Sequence, residues 1–342
     1  MKFEAVTRKD IAKALGLSTS TVSRALRDSY EISPETKEKV LQYARETNYR
    51  PNPIALSLKE KRSSSIGVLV SEIANSFFSQ VINGIESVAQ ERGYNVVIAQ
   101  SKESYEREVS ALNYLASRSV DGIILSVSAE TYDFSAISNL YNKGMAMVGF
   151  DRIAETLQMH KVIVNNKRGA YDATSQLIKN GFKNIACIAS SSYLSISKER
   201  IQGYIDALQE NNIKVNDELI AYCAHGGMLY DEVEVAMKKL MSSTKKPDAI
   251  IACSDKITTN AMRYCKKEKI AIPEKLGLIG FSNLDLTELL SPSLSVVRQP
   301  AGDMGKKAAE LLLSMIESKR AVTEFQTVVL PAEIHERESS IK

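Results

Sequence analysis

The chain has 342 residues with 44% hydrophobic and 25% charged side chains, 16 glycines and 8 prolines. That length accommodates two or three domains, and the composition excludes a disordered, collagen-like or low-complexity scaffold. Lys and Arg number 44 against 41 Asp and Glu, but 13 of the bases and 8 of the acids lie in residues 1–62, so a head at +5 precedes a body at −2. Such a split is expected where the N-terminal end meets a polyanion and the remainder does not.

No apolar run approaches the ~18 residues of a membrane span, and MKFEAVTRKD lacks the apolar stretch and cleavage site of a secretory signal. A cytoplasmic protein without a membrane partner is expected, associated with the nucleoid if the head binds DNA. Cys187, Cys223, Cys253 and Cys265 are widely spaced with no CxxC pair, which predicts four reduced structural thiols. The three histidines, His160, His225 and His335, form no HExxH, and neither GxSxG nor GxxxxGK[ST] occurs. Ser195 and Lys198 match SxxK, as chance allows in a Ser- and Lys-rich chain, and are read as surface polarity. No enzyme activity, metal or cofactor is expected.

In chain order, TRKDIAKALG predicts a first helix with Thr7 as N-cap, Asp10 three residues on, an inward face of Ile11, Ala12 and Leu15, and Gly16 as its stop. Ser18 caps a second helix in which Val22, Ala25 and Leu26 share a face, leaving Thr19, Ser20 and Arg24 on the other. Ser33-Pro34-Glu35 opens a third, with Pro in its permitted first position and Val40, Tyr43, Ala44 and Thr47 facing inward. A short turn joining two helices, the second presenting short hydroxyls and one Arg, suits a helix-turn-helix reader of the DNA major groove. Arg24 can donate two hydrogen bonds to guanine, Thr19 and Ser20 can reach base edges, and the groups near Thr7, Arg8, Ser18, Thr21 and Ser23 can meet phosphates. The same pattern also suits a solvated three-helix bundle making protein contacts.

Asn48-Tyr49-Arg50-Pro51-Asn52-Pro53 is a stiff link, and IALSLKEKR after it makes barely two helical turns. Ala55 and Leu58 lie three apart on one face, which suggests an apolar wedge for the minor groove; a disordered linker that folds on binding is compatible with the same residues.

The run from Val6 to Lys59 strongly resembles the DNA-binding head and hinge helix of the LacI/GalR family of bacterial transcription regulators. Thr-x-x-Asp-Ile-Ala, Ser-x-x-Thr-Val-Ser-Arg, the Ser-x-x-Thr opening of the third helix, Asn-Tyr-x-Pro-Asn and Ala-x-x-Leu occur in order. The resemblance implies that Thr19, Ser20 and Arg24 read bases, that Leu58 intercalates beside Ala55, and that Asn48 and Tyr49 belong to the DNA-binding segment.

From Ser65 onward, apolar runs alternate with helical patterns: SIGVLV, FFSQVINGIESVAQERGY, NVVIAQ, REVSALNYLASRS, DGIILS. The rhythm restarts after Asn165, predicting two α/β lobes with parallel sheets and a ligand cleft at the strand carboxyl ends. The fold class is therefore an all-α helix-turn-helix head followed by an α/β two-lobed effector domain. The resemblance extends here, since the family's effector domain is similar to periplasmic sugar-binding proteins. Expected boundaries are 1–50 for the head, 51–64 for the hinge, 65–163 with 293–326 for one lobe and 164–292 with 327–342 for the other.

Residues at strand ends are the cleft candidates: Phe77 and Phe78, Asp151 and Arg152, Arg200 at the opening of ERIQGY, Ser254 and Asp255, Ser282 and Asn283, and Gln299. By resemblance they line the effector cleft, with aromatic faces on the ligand ring, Arg200 forking to an oxygen pair and carboxylates accepting from hydroxyls. The chain departs from the family's common Asn-Asp at Ser254-Asp255 and from its common Asp-Asp at Ser282-Asn283. The loss of a carboxylate at Ser282 leaves Arg200 less compensated and favours an anionic effector. Expected partners are a near-palindromic double-stranded operator, a sugar, sugar phosphate or sugar acid, and a second copy of the chain in a homodimer. The function expected is a regulator, in the repressing sense, of catabolic genes. The rival is a cytosolic small-molecule binding protein without regulatory DNA binding.

Overall fold

The computed structural model describes residues 6–49, 62–318, 320 and 322–342. They fall into two compact units divided between Ser63 and Ser64.

The first unit is the three-helix head. Helix α1 (Arg8–Leu15) begins with a reciprocal cap: the Thr7 hydroxyl accepts from Asp10 N, and the Asp10 carboxylate accepts from Thr7 N at 2.8 Å. It stops at Gly16, whose φ of 64° is a left-handed conformation that glycine adopts without steric cost. Ser18 caps α2 (Thr19–Ala25), and Ser33 caps α3 (Pro34–Glu46), which carries Pro in its first turn. Ile11, Ala12, Val22, Ala25, Val40 and Ala44 form the core, with Leu15, Leu26 and Tyr43 half-buried at its edge. Six small or medium apolar residues make a thin core, so the satisfied helix ends contribute a large share of the head's stability.

The second unit contains two six-stranded sheets. The first is built from β1 (Ser65–Val70), α4 (Ser76–Glu91), β2 (Asn95–Gln100), α5 (Tyr105–Ser117), β3 (Gly122–Leu125), α6 (Ser135–Asn142), β4 (Ala146–Phe150) and β5 (His160–Val164). The chain then enters the other lobe with α7 (Asn166–Lys179), β6 (Ile185–Ala189), α8 (Ser195–Glu210), β7 (Ile220–Tyr222), α9 (Tyr230–Met241), β8 (Ala249–Ala252), α10 (Asp255–Lys267), β9 (Gly277–Phe281) and β10 (Ser295–Arg298). It returns with α11 (Ala301–Glu317) and β11 (Thr327–Leu330) and ends in the second sheet with β12 (Glu333–His335). The orders are β11-β5-β4-β3-β1-β2 and β12-β10-β9-β8-β6-β7, parallel throughout except for β10 against β12. Central strands such as Ile185–Ala189 are buried along their whole length, as parallel strands covered on both faces must be.

The lobe boundaries differ from the sequence expectation at two of three crossings. Residues 293–300 belong with the second lobe, because β10 pairs with β9 (Val296 beside Gly280), and β11 belongs with the first, because it pairs with β5 (Val328 beside Val162). SVVR and TVVL are interchangeable as apolar strands; which sheet each joins is decided by long-range pairing, to which local periodicity is blind.

Candidate functional site

The head places Thr19, Ser20 and Arg24 on the exposed side of α2, with Val22 and Ala25 turned into the core. Ser18 Oγ lies 2.8 Å from Thr21 Oγ1, so the expected phosphate-meeting hydroxyls sit at the N-terminus of α2, where backbone N–H groups face outward. Arg8 Nη1 donates to Ser23 Oγ at 3.2 Å, tying α1 to α2. Arg24 forms an ion pair with Glu31 at 2.9 Å, which the sequence reading did not foresee. Asn48 is exposed with φ 47°, whereas Tyr49 packs on the head's core and its N–H donates to Ala44 O. Ala55 and Leu58 lie outside the described residues.

In the second unit, the carboxyl ends of the strands face one another across the two lobes. Asp151, directly after β4, has φ 53°, and Glu103, after β2, has φ 63°. Both are non-glycine residues in the left-handed region, which costs of order 1 kcal/mol each and is retained where a side chain must be aimed. Glu103 Oε2 accepts from Arg152 Nη1 at 2.6 Å and from Ala129 N at 2.7 Å, so the guanidinium is paired although only 6% exposed. Glu108 lies behind this pair, accepting from Ser128 N at 2.6 Å and Thr131 Oγ1 at 2.8 Å; burial, aided by the Glu103 charge, pushes its carboxyl up to about 7.

Arg200, on α8, donates to Asn166 Oδ1 at 2.9 Å and to Cys253 O at 2.7 Å, and its guanidinium lies 3.9 Å from the Phe281 ring centre. Burial lowers its pKa, and the neighbouring Asp151 carboxylate opposes that shift. Gln299 Nε2 donates to Asp151 Oδ1 at 3.5 Å. The Asp151 carboxylate of the other lobe acts on Arg200 electrostatically, but no ion pair joins Arg200 to a carboxylate among the described residues. Asp255 accepts from Ser282 Oγ and from Asn283 N at 3.2 Å, so the serine that replaces a carboxylate serves as a donor to the one that remains. Burial nevertheless raises the Asp255 carboxyl above its ordinary value.

Phe77 and Phe78 are both buried in the first-lobe core, their rings edge to face at 5.2 Å, with Phe78 stacked in the same manner on Phe150. Both rings pack in the first-lobe core with little surface exposed, so the core role that such an apolar pair also suits is present. What faces Asp255 is the Phe77 backbone N–H.

Four buried hydroxyls at the strand ends and on α8, those of Ser101, Ser126, Ser190 and Ser197, have no hydrogen-bond partner, and neither do Arg152 Nε, which lies 4.0 Å from Asp151 Oδ2, and Asp255 Oδ2. Buried polar groups are rarely left in this state unless something external completes them. Sequence reasoning missed Ser101, Ser126 and Ser190, although the signal was present: SIGVLV, NVVIAQ, DGIIL, NIACIA, DAIIAC and LGLIGF each run directly into a serine; Ser197, on α8, carries no such signal.

The lobes meet closely. Leu194 and Ile196 from the second lobe are buried among Leu69, Val127 and Ala129 of the first. Lys256 bridges to Glu72 at 3.0 Å, His225 Nε2 lies 3.3 Å from Glu130, and Gln80 and Asn283 exchange hydrogen bonds at 3.1 and 2.8 Å. Between Ser71, Glu72, Glu103 and Arg152 on one side and Gly226, Ser254 and Lys256 on the other remains a cavity of about 20 Å³. No helix among the described residues is long and apolar enough to cross a membrane.

Comparison with known proteins fits both sites. The family model for bacterial regulatory proteins, lacI family, matches residues 7–52, and that for a periplasmic binding protein-like domain matches residues 174–340. The HTH-type transcriptional repressor PurR of Vibrio cholerae serotype O1 (strain M66-2) is 34% identical over 313 residues, 92% of each chain. The HTH-type transcriptional repressor CytR of Escherichia coli (strain K12) is 32% identical over 315 residues, 92% of this chain and 91% of its own. Among solved structures, the transcriptional regulator CelR in its cellobiose complex is similar at TM-score 0.73 and 29% identity, covering 98% of this chain and 99% of its own. The lac repressor dimer bound to operator and the anti-inducer ONPF shares the fold at TM-score 0.79 and 21% identity, covering 99% and 100%.

Proposed function

The chain belongs to the LacI family of bacterial regulatory proteins, and from that premise we propose that it is a repressor whose hold on a near-palindromic operator is set by a small hydroxyl-rich molecule bound between its lobes. The observation that carries the ligand half is the set of unpartnered buried groups at the strand ends: four serine hydroxyls, Arg152 Nε and Asp255 Oδ2. Hydroxyls both donate and accept, so a polyol such as a sugar completes this mixed set, whereas an anion satisfies only the donors. The charges agree. Arg152 pairs with Glu103, and Asp151 acts on both Arg152 and Arg200, so the site carries less excess positive charge than a sugar phosphate or sugar acid would favour.

The DNA half rests on the capped α2, its exposed Thr19, Ser20 and Arg24, and the kinship with repressors. A single α2 reads only a few base pairs, so a two-fold dimer bringing two heads to one site supplies the rest. The ligand acts through its differential affinity for lobe arrangements that hold the heads differently.

Two measurements test this reading. Selection of sites from random DNA with the full-length protein should enrich a palindrome; no enrichment favours a binding protein without a DNA target. Calorimetry against neutral sugars and their phosphates should show binding to a neutral sugar, weakened at least tenfold in Arg200→Ala. A site that accepts only the phosphates would overturn the charge argument.

A further inference from the structure

We propose that Glu31 is a positioning residue for base reading, buttressing Arg24 so that the guanidinium meets the groove already oriented. The inference rests on the DNA-reading role of α2. Arg24 lies in the last turn of α2, on the exposed side that carries Thr19 and Ser20, and its Nη1 is 2.9 Å from Glu31 Oε2. One contact at Nη1 leaves the Nε and Nη2 edge unengaged. That edge is a two-donor fork of the kind that matches the O6 and N7 acceptors of guanine.

The carboxylate is carried by an anchored turn. Arg27 N and Ser29 N both donate to Arg24 O, at 3.2 and 3.1 Å, and Asp28 takes φ 55°. Lys37 Nζ holds Asp28 Oδ1 at 2.7 Å, Glu31 N donates to Ser29 Oγ at 3.4 Å, and Ile32 packs on the head's core. Glu31 is therefore fixed relative to α2 by contacts on both sides of it.

Two opposing consequences follow from this placement. An unrestrained Arg loses side-chain freedom when it grips a base, and a partner that already holds it reduces that loss for the correct base. A carboxylate close to the DNA backbone meanwhile repels phosphate and lowers sequence-independent affinity. A buttress thus raises discrimination at one base pair while lowering general attraction. A purely structural ion pair does neither.

The test begins with the half-site enriched from random DNA and the base pair at which Arg24→Ala loses its preference. In Glu31→Gln and Glu31→Ala, discrimination at that base pair should fall about three- to tenfold, preferences at other positions should stay within twofold, and binding to random duplex should tighten about two- to threefold. Combining Glu31→Gln with Arg24→Ala should add no further loss at that position. Unchanged discrimination there, or a uniform loss at every position, overturns the buttress while leaving DNA reading intact. If no half-site is enriched at all, the DNA-reading role fails and the buttress with it.

Discussion

Burial raises the Glu108 carboxyl to about 7, against an ordinary value of 4.5, even though Ser128 N and Thr131 Oγ1 donate to it. A carboxyl whose folded pKa is raised contributes its full stability below about pH 4.5 and loses it as the pH climbs towards 7. At 1.36 kcal/mol per pH unit the loss amounts to about 3 kcal/mol across that interval. Glu108→Gln keeps an acceptor for Ser128 N without the charge. Urea unfolding should therefore find the variant close to the parent at pH 5 and more stable than it by up to about 3 kcal/mol at pH 8. A difference that does not vary with pH would mean that Glu108 ionises normally. Glu103 has the opposite logic, because it neutralises a guanidinium buried beside it. Glu103→Ala removes the close partner of Arg152 and leaves only Asp151, 4.0 Å from its Nε, so it should cost up to about 3–5 kcal/mol. Glu103→Gln, which still accepts from Ala129 N and Arg152, should cost clearly less in the same unfolding measurement.

Helices α4 and α11 touch backbone to backbone, which explains two glycines that no turn requires. A methyl group at Gly305 would overlap the Val81 carbonyl, and one at Gly84 would overlap the Gly302 carbonyl. Gly305→Ala should therefore destabilise by about 1–3 kcal/mol or more, since neither backbone can yield without parting the helices. Gly302, on the same helix, has open space where a methyl would sit. Gly302→Ala should gain roughly 0.5–1 kcal/mol from helix propensity alone, and thermal melts of the two variants should shift in opposite directions. Local signals of this kind made much of the fold legible: the Thr7, Ser18 and Ser33 caps, Pro34 in its first turn and the βα rhythm each appear where the sequence puts them. The sheet memberships of β10 and β11 were hidden because they depend on pairing between distant segments. In the cleft, Asp151, Arg152, Asp255 and Gln299 could be read as residues after strands, and Arg200 as part of the helix ERIQGY, although that helix already begins at Ser195. Glu103 and Glu108 could not, because a left-handed backbone turns Glu103 inward and Glu108 lies on the buried face of α5. Phe77 and Phe78 were open to two readings, because an apolar pair after a strand fits core and cleft equally well, and both rings lie in the first-lobe core.

At the scale of the whole molecule, the cavity of about 20 Å³ bounded by Ser71, Glu103, Arg152 and Ser254 holds little more than one water, so the proposed ligand would need the lobes to part there. The work of parting them, through Leu194, Ile196 and the Lys256–Glu72 bridge, is included in any measured ligand affinity. If that motion changes operator affinity by some factor, bound operator must change ligand affinity by the same factor, and both sides can be titrated. Salt separates the two kinds of binding. The net +5 of residues 1–62 suits phosphates, and if two heads of the proposed dimer together neutralise roughly 5–10 of them, the log–log slope of operator affinity against salt should lie between about −4 and −9. A neutral ligand among charges that are already paired releases no ions. Its affinity for the DNA-free protein should change less than about twofold between 50 and 500 mM salt, where the Debye length falls from roughly 14 to 4 Å. Fluorescence anisotropy on the operator and calorimetry on the ligand, run in the same buffers, give both numbers. A ligand affinity that falls as steeply as the operator's would return the cleft to an anionic occupant held by Arg200 and Arg152, against the pairing of Arg152 with Glu103 and the nearness of Asp151 to Arg200.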